Sequence, residues 1–301
     1  MTPLHFADRL SDAVRRCGNA ICLGIDPRWE SLPRQFRAIA GEPTLAQVAD
    51  AFAAFSIRVL ELARGKVPVV KPQAAFFEGC GPDGMRALQT VLRTATEMGY
   101  QTILDAKRGD IASTATAYAD AAFAGTPIGG KPLPVWNADS LTVNPYLGRD
   151  AIEPFIQTAR ASQRGLFILV RTSNPGAGMF QDLDVDGVPL YRHVGEAVAK
   201  WADESLGSCG YGDLGAVVGA THPTELAELR RLLPRVWFLV PGYGSQGGAA
   251  ADVAPAFDSQ GLGAVINSSR GLTFPYKPDD PAWESAITQA IDRMIADLAN
   301  R

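Results

Sequence analysis

The stretch Thr102-Ile-Leu104-Asp105-Ala-Lys107-Arg-Gly-Asp110 shows the architecture in nine residues: an apolar run with β-branched members, then an abrupt cluster of charge. From Ile111 to Ala124 the spacing turns helical. The same succession recurs along the chain. Apolar runs of strand length stand at Ile21–Ile25, Val67–Val70, Thr102–Leu104, Ser140–Val143, Leu166–Val170, Ala216–Val218, Val236–Val240 and Ala264–Ile266, eight in all. Amphipathic stretches such as Leu45 to Ala63, Gly84 to Met98, Leu190 to Ala202, Pro223 to Leu233 and Trp283 to Leu298 separate or follow them. Alternation of this kind is the α/β signature, and eight parallel strands with helical crossovers predict a (β/α)8 TIM barrel, which 301 residues accommodate with insertions.

No Pro/Gly/Ser linker divides the chain, so one domain over residues 1–301 is expected. Two insertions interrupt the pattern. Gly125 to Pro134 is rich in Pro and Gly and precedes the fourth strand, and Gln181 to Gly187 follows the fifth. The second falls on the side where barrel active sites form, which makes it either a lid or a solvated acidic turn.

An apolar fraction of 47% fills a core of this size, which argues against disorder. With 28 Lys+Arg against 32 Asp+Glu, net −4, there is no basic excess to engage nucleic acid or an anionic membrane. Cys17, Cys22, Cys80 and Cys209 form neither a CxxC pair nor a disulfide framework, so reduced thiols are expected. With no apolar signal segment near Met1 and no run long enough to span a bilayer, a cytoplasmic protein is expected.

The polar residues at the strand ends narrow the chemistry. Asp26 ends the first run, Lys71 the second, and Asp105 and Lys107 the third. Residues i and i+2 of a strand share a face, so Asp105 and Lys107 both reach the barrel mouth, with Lys71 and Asp26 beside them on adjacent strands. Taken singly, each charge reads as a solvated loop residue, and Asp110 as an N-cap for the following helix. Taken together, they make a row in which a lysine between carboxylates stays protonated and ready to act as a general acid.

A second constellation lies after strands seven and eight: Pro241-Gly-Tyr-Gly-Ser-Gln246-Gly-Gly and Asn267-Ser-Ser-Arg270-Gly. Barrels often bind phosphate there, through backbone N–H groups exposed by glycine and a forked arginine. Ser173 falls in Arg171-Thr-Ser-Asn-Pro-Gly176, which is equally a turn sequence. His5, His193 and His222 are not spaced for a metal, and HExxH, GxSxG and an early GxGxxG are missing.

Asp105-Ala-Lys107-Arg-Gly-Asp110-Ile111-Ala-Ser-Thr114 resembles the signature of the orotidine 5′-phosphate decarboxylases, in particular the longer bacterial type with Lys-Arg-Gly-Asp-Ile. The resemblance extends through Leu23 to Asp26, Lys71, Thr172 to Gly176, Pro241 to Gln246 and Arg270, while the two insertions differ from the shorter members. It implies a barrel of the ribulose-phosphate-binding type that converts orotidine monophosphate to UMP and CO2, the last step of UMP synthesis, without metal or organic cofactor. It implies that Lys107 protonates ring carbon six and that Asp105 sits near the departing carboxylate, with Lys71 and Asp110 completing the array. Asp26 and Thr114 would serve the ribose, Ser173 the pyrimidine, and Gln246 and Arg270 the phosphate. Asp110 and Thr114 would reach the neighbouring subunit's site, which implies a homodimer. Three other readings stay open on the residues alone: a metal-dependent phosphosugar decarboxylase or epimerase, a Schiff-base aldolase using Lys107 or Lys71, and a non-catalytic nucleotide-binding barrel.

Overall fold

The computed structural model describes residues 4–221, 223–244 and 249–300. Among them, eight parallel strands close into a barrel in chain order, each pairing with its sequential neighbours: β1 (Ile21–Ile25), β2 (Val69–Pro72), β3 (Gln101–Arg108), β4 (Ser140–Val143), β5 (Gly165–Arg171), β6 (Leu214–Val218), β7 (Phe238–Val240) and β8 (Ala264–Ser268). Gly24 lies opposite Lys71 on the β1–β2 ladder, and Ile21 opposite Ile266 where β8 closes onto β1. Helices cover the outer face of the barrel and side chains fill its interior. β1, β4, β6 and β8 are therefore buried at every position, and they read as continuous apolar runs rather than alternating ones.

Two cores result. The larger lies between barrel and helices, where Leu23, Val70, Leu104 and Ile168 meet Phe55, Leu88, Ile156 and Ile287. The smaller fills the barrel with Cys22, Val69, Ile103, Phe167, Val217, Trp237, Leu239 and Val265. Helix Phe6–Cys17 stoppers its lower end with Phe6, Leu10 and Val14. The Phe6 ring packs edge-on against Phe167, 6.3 Å between centroids. Strand parity then decides the site, because Val69 and Ile103 point into the barrel and so must Lys71 and Asp105, two residues further up.

The predicted helices appear with small boundary shifts, Gly81–Glu97 for the one after β2, for example. Pro82 at its first turn lacks the N–H that a longer start would leave unpaired. Ile111 to Ala124 divides into an α-helix, Ala112–Ala119, and a π-turn, Asp120–Ala124. Both insertions are hairpins rather than plain loops. One pairs Thr126–Ile128 with Lys131–Leu133 across Gly129-Gly130, and the other pairs Asp184–Val185 with Val188–Pro189 across Asp186-Gly187. All four turn residues have positive φ, the condition for a two-residue turn whose twist matches its strands. Among the described residues no helix is long and apolar enough to cross a membrane.

Candidate active site

Asp105 is the centre of the barrel mouth. Its carboxylate is buried and accepts four hydrogen bonds, two per oxygen: Lys71 Nζ at 2.7 Å and Gln73 Nε2 at 2.9 Å on Oδ2, Lys107 Nζ at 2.7 Å and Thr142 Oγ1 at 2.9 Å on Oδ1. Burial alone would push this carboxyl up, but the ammonium groups of Lys71 and Lys107 outweigh it and hold it well below the usual carboxylate range. Lys71 is buried too. Desolvation works against its charge, yet the carboxylates of Asp105 and Asp26 outweigh that and keep it protonated beyond the ordinary lysine range. Cys22, beneath them, is a bystander, since burial pushes its thiol up to about 12 and removes its nucleophilic form.

Lys107 differs from its partner lysine by exposure: 48% of its side chain is accessible, against 6% for Lys71. A group that must meet a substrate needs that access. Its backbone has φ +46°, a left-handed conformation costly for a residue with a Cβ, and the β3–β4 register shifts between Leu104 and Arg108. Thr142 on β4 holds this bulge. Its hydroxyl accepts from the N–H groups of Ala106 (3.0 Å) and Lys107 (2.9 Å) while donating to Asp105, which uses its one proton and both lone pairs.

Two cavities open beside this centre and share Lys71 and Pro241 as walls. One, about 440 Å³, is lined by Asp105, Lys107, Thr142, Ser173 and Gln181, with Leu169, Val217 and Leu239 as an apolar floor. The other, about 260 Å³, is more polar and lined by Asp26, Arg28, Gln73, Asn267, Ser269 and Arg270. In it the Oδ1 atoms of Asp26 and Asn267 are buried acceptors without a hydrogen-bond partner among the described residues, a suitable surface for hydroxyl donors. Arg270, exposed at the first turn of the short helix Arg270–Thr273, projects a forked cation over the same space.

The predicted residues thus separate into groups. Lys71, Asp105 and Lys107 converge in direct contact, Asp26 and Arg270 share the polar cavity, and Ser173 lines the other. Asp110 and Thr114 line neither cavity: Asp110 Oδ1 accepts the N–H of Ile111 at 2.8 Å, and Thr114 lies on the exposed side of helix Ala112–Ala119. The N-cap of that helix is Ile111, so Asp110 stands one residue outside it. Gln246 lies outside the described residues. Gln73, Thr142 and Asn267 belong to the site although sequence reasoning gave them no role. Gln73 carried a usable signal, being two residues beyond Lys71 on the same strand face. Among the described residues no three His, Cys, Asp or Glu side chains converge as a group able to hold a metal ion.

A closed (β/α)8 barrel with a lysine–aspartate–lysine cluster at its C-terminal mouth defines the class: a barrel that gathers buried charge where barrel enzymes do their chemistry. Comparison with known proteins narrows it. Residues 19–282 match the model of the orotidine 5′-phosphate decarboxylase / HUMPS family, and the chain belongs to that family. It is 46% identical over 302 residues to an orotidine 5′-phosphate decarboxylase of Rhodopirellula baltica, covering 98% of this chain and 99% of the relative. An orotidine 5′-phosphate decarboxylase of Caldicellulosiruptor bescii is 36% identical over 277 residues, 91% of each chain. The structure of Leishmania donovani OMP decarboxylase superposes with a TM-score of 0.73 at 33% identity, covering 97% of this chain and 99% of that one.

Proposed function

We propose that this protein is an orotidine 5′-phosphate decarboxylase, a carboxy-lyase that converts orotidine monophosphate to UMP and CO2 at the end of UMP biosynthesis, acting in the cytoplasm as a homodimer of single-domain chains, residues 1–301. The observation that carries the reading is Asp105 held between Lys71 and Lys107 at the barrel mouth, in a chain whose relatives at 46% and 36% identity bear that activity's name.

The bond from ring carbon six to the carboxylate breaks, CO2 departs, and the electron pair remains on carbon six. Lys107 meets the developing charge and then delivers a proton to that carbon. Its exposure toward the cavity and its contact with Asp105 support the role, and a cation already in place makes metal or organic cofactor unnecessary to the proposed step. Asp105 serves near the departing carboxylate, and Ser173 faces the pyrimidine. In the polar cavity, Asp26 accepts from ribose hydroxyls while Arg270, with Gln246, binds the phosphate. Asp110 and Thr114 enter the partner's site. Supporting that assignment, Ile111, Tyr118, Tyr146 and Leu147 are exposed apolar side chains in the segments that follow β3 and β4, a surface suited to burial between subunits.

Loss of orotidine monophosphate absorbance with EDTA-treated protein tests the reading. Turnover without metal supports it. Absence of turnover overturns it, and activity restored only by Mg²⁺ would favour a metal-dependent phosphosugar enzyme.

A further inference from the structure

The insertion after β5 is anchored to the barrel. Arg171, whose side chain is 4% exposed, donates from Nε to Glu225 at 2.7 Å and pairs through Nη1 with Asp182 of the insertion at 2.9 Å. Its guanidinium also covers the Tyr191 ring at 5.3 Å. The buried guanidinium is fixed by Glu225 and the Tyr191 ring, and Asp182, itself half exposed, meets it there. This end of the segment is a fixed wall.

One residue before Asp182, at the end of the short helix Gly178–Gln181, a side chain turns back to the strand end. Gln181 Oε1 accepts the N–H of Thr172 at 2.9 Å and its Nε2 donates to Thr172 Oγ1 at 2.8 Å, closing a two-bond clasp on one residue. Thr172 Oγ1 in turn donates to Asn174 Oδ1 at 2.6 Å. Ser173 lies between, and Gln181 itself lines the cavity that holds Lys107 and Ser173. From the opposite side, Gly219 after β6 donates its N–H to Arg171 O at 2.8 Å. A Cβ at Gly219 would stand 2.8 Å from Ser173 Cβ and 3.0 Å from its Cα and N, closer than real packing allows. The turn that carries Ser173 is thus held from two sides, by hydrogen bonds from Gln181 to Thr172 and by Gly219, which bonds to Arg171 O and packs against Ser173.

We propose that Gln181 and Gly219 are positioning residues that fix the Thr172–Asn174 turn so that Ser173 meets the substrate's ring, which makes the insertion after β5 part of base recognition. The inference rests on the proposed decarboxylase reading, in which Ser173 faces the pyrimidine. A serine hydroxyl is a free rotor on a short stem, so the accuracy of its contact is set by its backbone.

The test compares wild type, Gln181→Ala, Gly219→Ala, Ser173→Ala and the double variant Gln181→Ala/Ser173→Ala. Kinetics on orotidine monophosphate are measured beside titrations with UMP and ribose 5-phosphate. Gln181→Ala is expected to lower kcat/KM about tenfold and to weaken UMP similarly, the scale of one or two lost hydrogen bonds. Ribose 5-phosphate affinity should not move, because it lacks the ring. In the Ser173→Ala background the further loss should stay within about twofold, since the clasp acts through that hydroxyl. Gly219→Ala should show the same pattern, and Gln181→Ala, at a half-buried position on a short helix, carries the test where Gly219→Ala does not fold. Multiplicative losses in the double variant, wild-type kinetics for Gln181→Ala, or equal weakening of ribose 5-phosphate would overturn the proposal. Wild-type protein that turns over no orotidine monophosphate sinks the decarboxylase reading and this inference with it, whereas wild-type turnover with multiplicative losses sinks this inference alone.

Discussion

The two cavities at the barrel mouth are finished to different degrees. At the reacting end every hydrogen-bonding site of the Asp105 carboxylate is engaged, and the Thr142 hydroxyl has neither proton nor lone pair to spare. In the polar cavity Asp26 and Asn267 each keep a buried oxygen without a hydrogen-bond partner among the described residues, and Arg270 is exposed. Their chemistry explains the contrast. Charges that act on a transition state must be in place beforehand, since reorganising them during the reaction would cost what they contribute. Groups that bind a ribose phosphate instead exchange solvent for the ligand's own donors and anion. On the proposed reading, one end is a preorganised field and the other a receptor.

The largest effect should come from removing the exposed lysine beside Asp105. Lys107→Ala is expected to lower kcat by at least about a hundredfold, the scale of a lost general acid, while UMP still binds through the polar cavity. Steady-state kinetics beside UMP titration check both. A variant retaining a tenth of wild-type turnover would show that Lys107 is not the proton donor.

Asp110 breaks the comparison differently, because the proposal draws it from the other subunit. Lys107→Ala and Asp110→Ala proteins, each inactive, are mixed under conditions that permit subunit exchange. Random pairing makes about half the dimers mixed and restores one site in each, so activity should approach roughly a quarter of wild type. Verified exchange with no recovery would place Asp110 in its own chain's site or outside the chemistry.

Legibility in the sequence follows the same division. The barrel was readable because doubly covered parallel strands leave continuous apolar runs, and the charge row was readable because strand parity carries Val69 to Lys71 and Ile103 to Asp105. Thr142 was not, because threonine is an ordinary strand residue and its role depends on a bulge at Lys107 that no spacing announces. The hairpins carried visible turn signals, Gly129-Gly130 and Asp186-Gly187, but the surrounding proline and acidic residues read as loop. That Asp110 and Thr114 line neither cavity of their own chain was anticipated only by the family resemblance, since residue spacing does not distinguish contacts within a chain from those between chains.

In the proposed receptor, Arg270→Ala would remove a charge-assisted phosphate contact far from the reacting carbon. The expected loss in kcat/KM for orotidine monophosphate is about tenfold to a hundredfold, and for orotidine, which lacks the phosphate, close to none. Equal losses on both substrates would move Arg270 from phosphate binding to the field.

The smallest effect, and the sharpest division between contact and scaffold, belongs to Thr142. Thr142→Ser keeps the hydroxyl and should leave kcat within about twofold, because its two accepted N–H bonds and its donation to Asp105 survive. Thr142→Val keeps the shape but leaves the N–H groups of Ala106 and Lys107 unpaired, at a cost of about 1–3 kcal/mol in stability. It also takes one donor from a carboxylate held below its ordinary range. A group of that kind contributes stability above its unfolded pKa and loses it as pH falls through the folded one. With one donor fewer the folded value rises, so the acid unfolding limb of Thr142→Val should begin at higher pH than that of wild type, while Thr142→Ser follows wild type. Thermal unfolding measured across the acid range separates the outcomes. A Val variant that is destabilised equally at all pH values would mean that Thr142 supports the bulge and contributes nothing to the charge of Asp105.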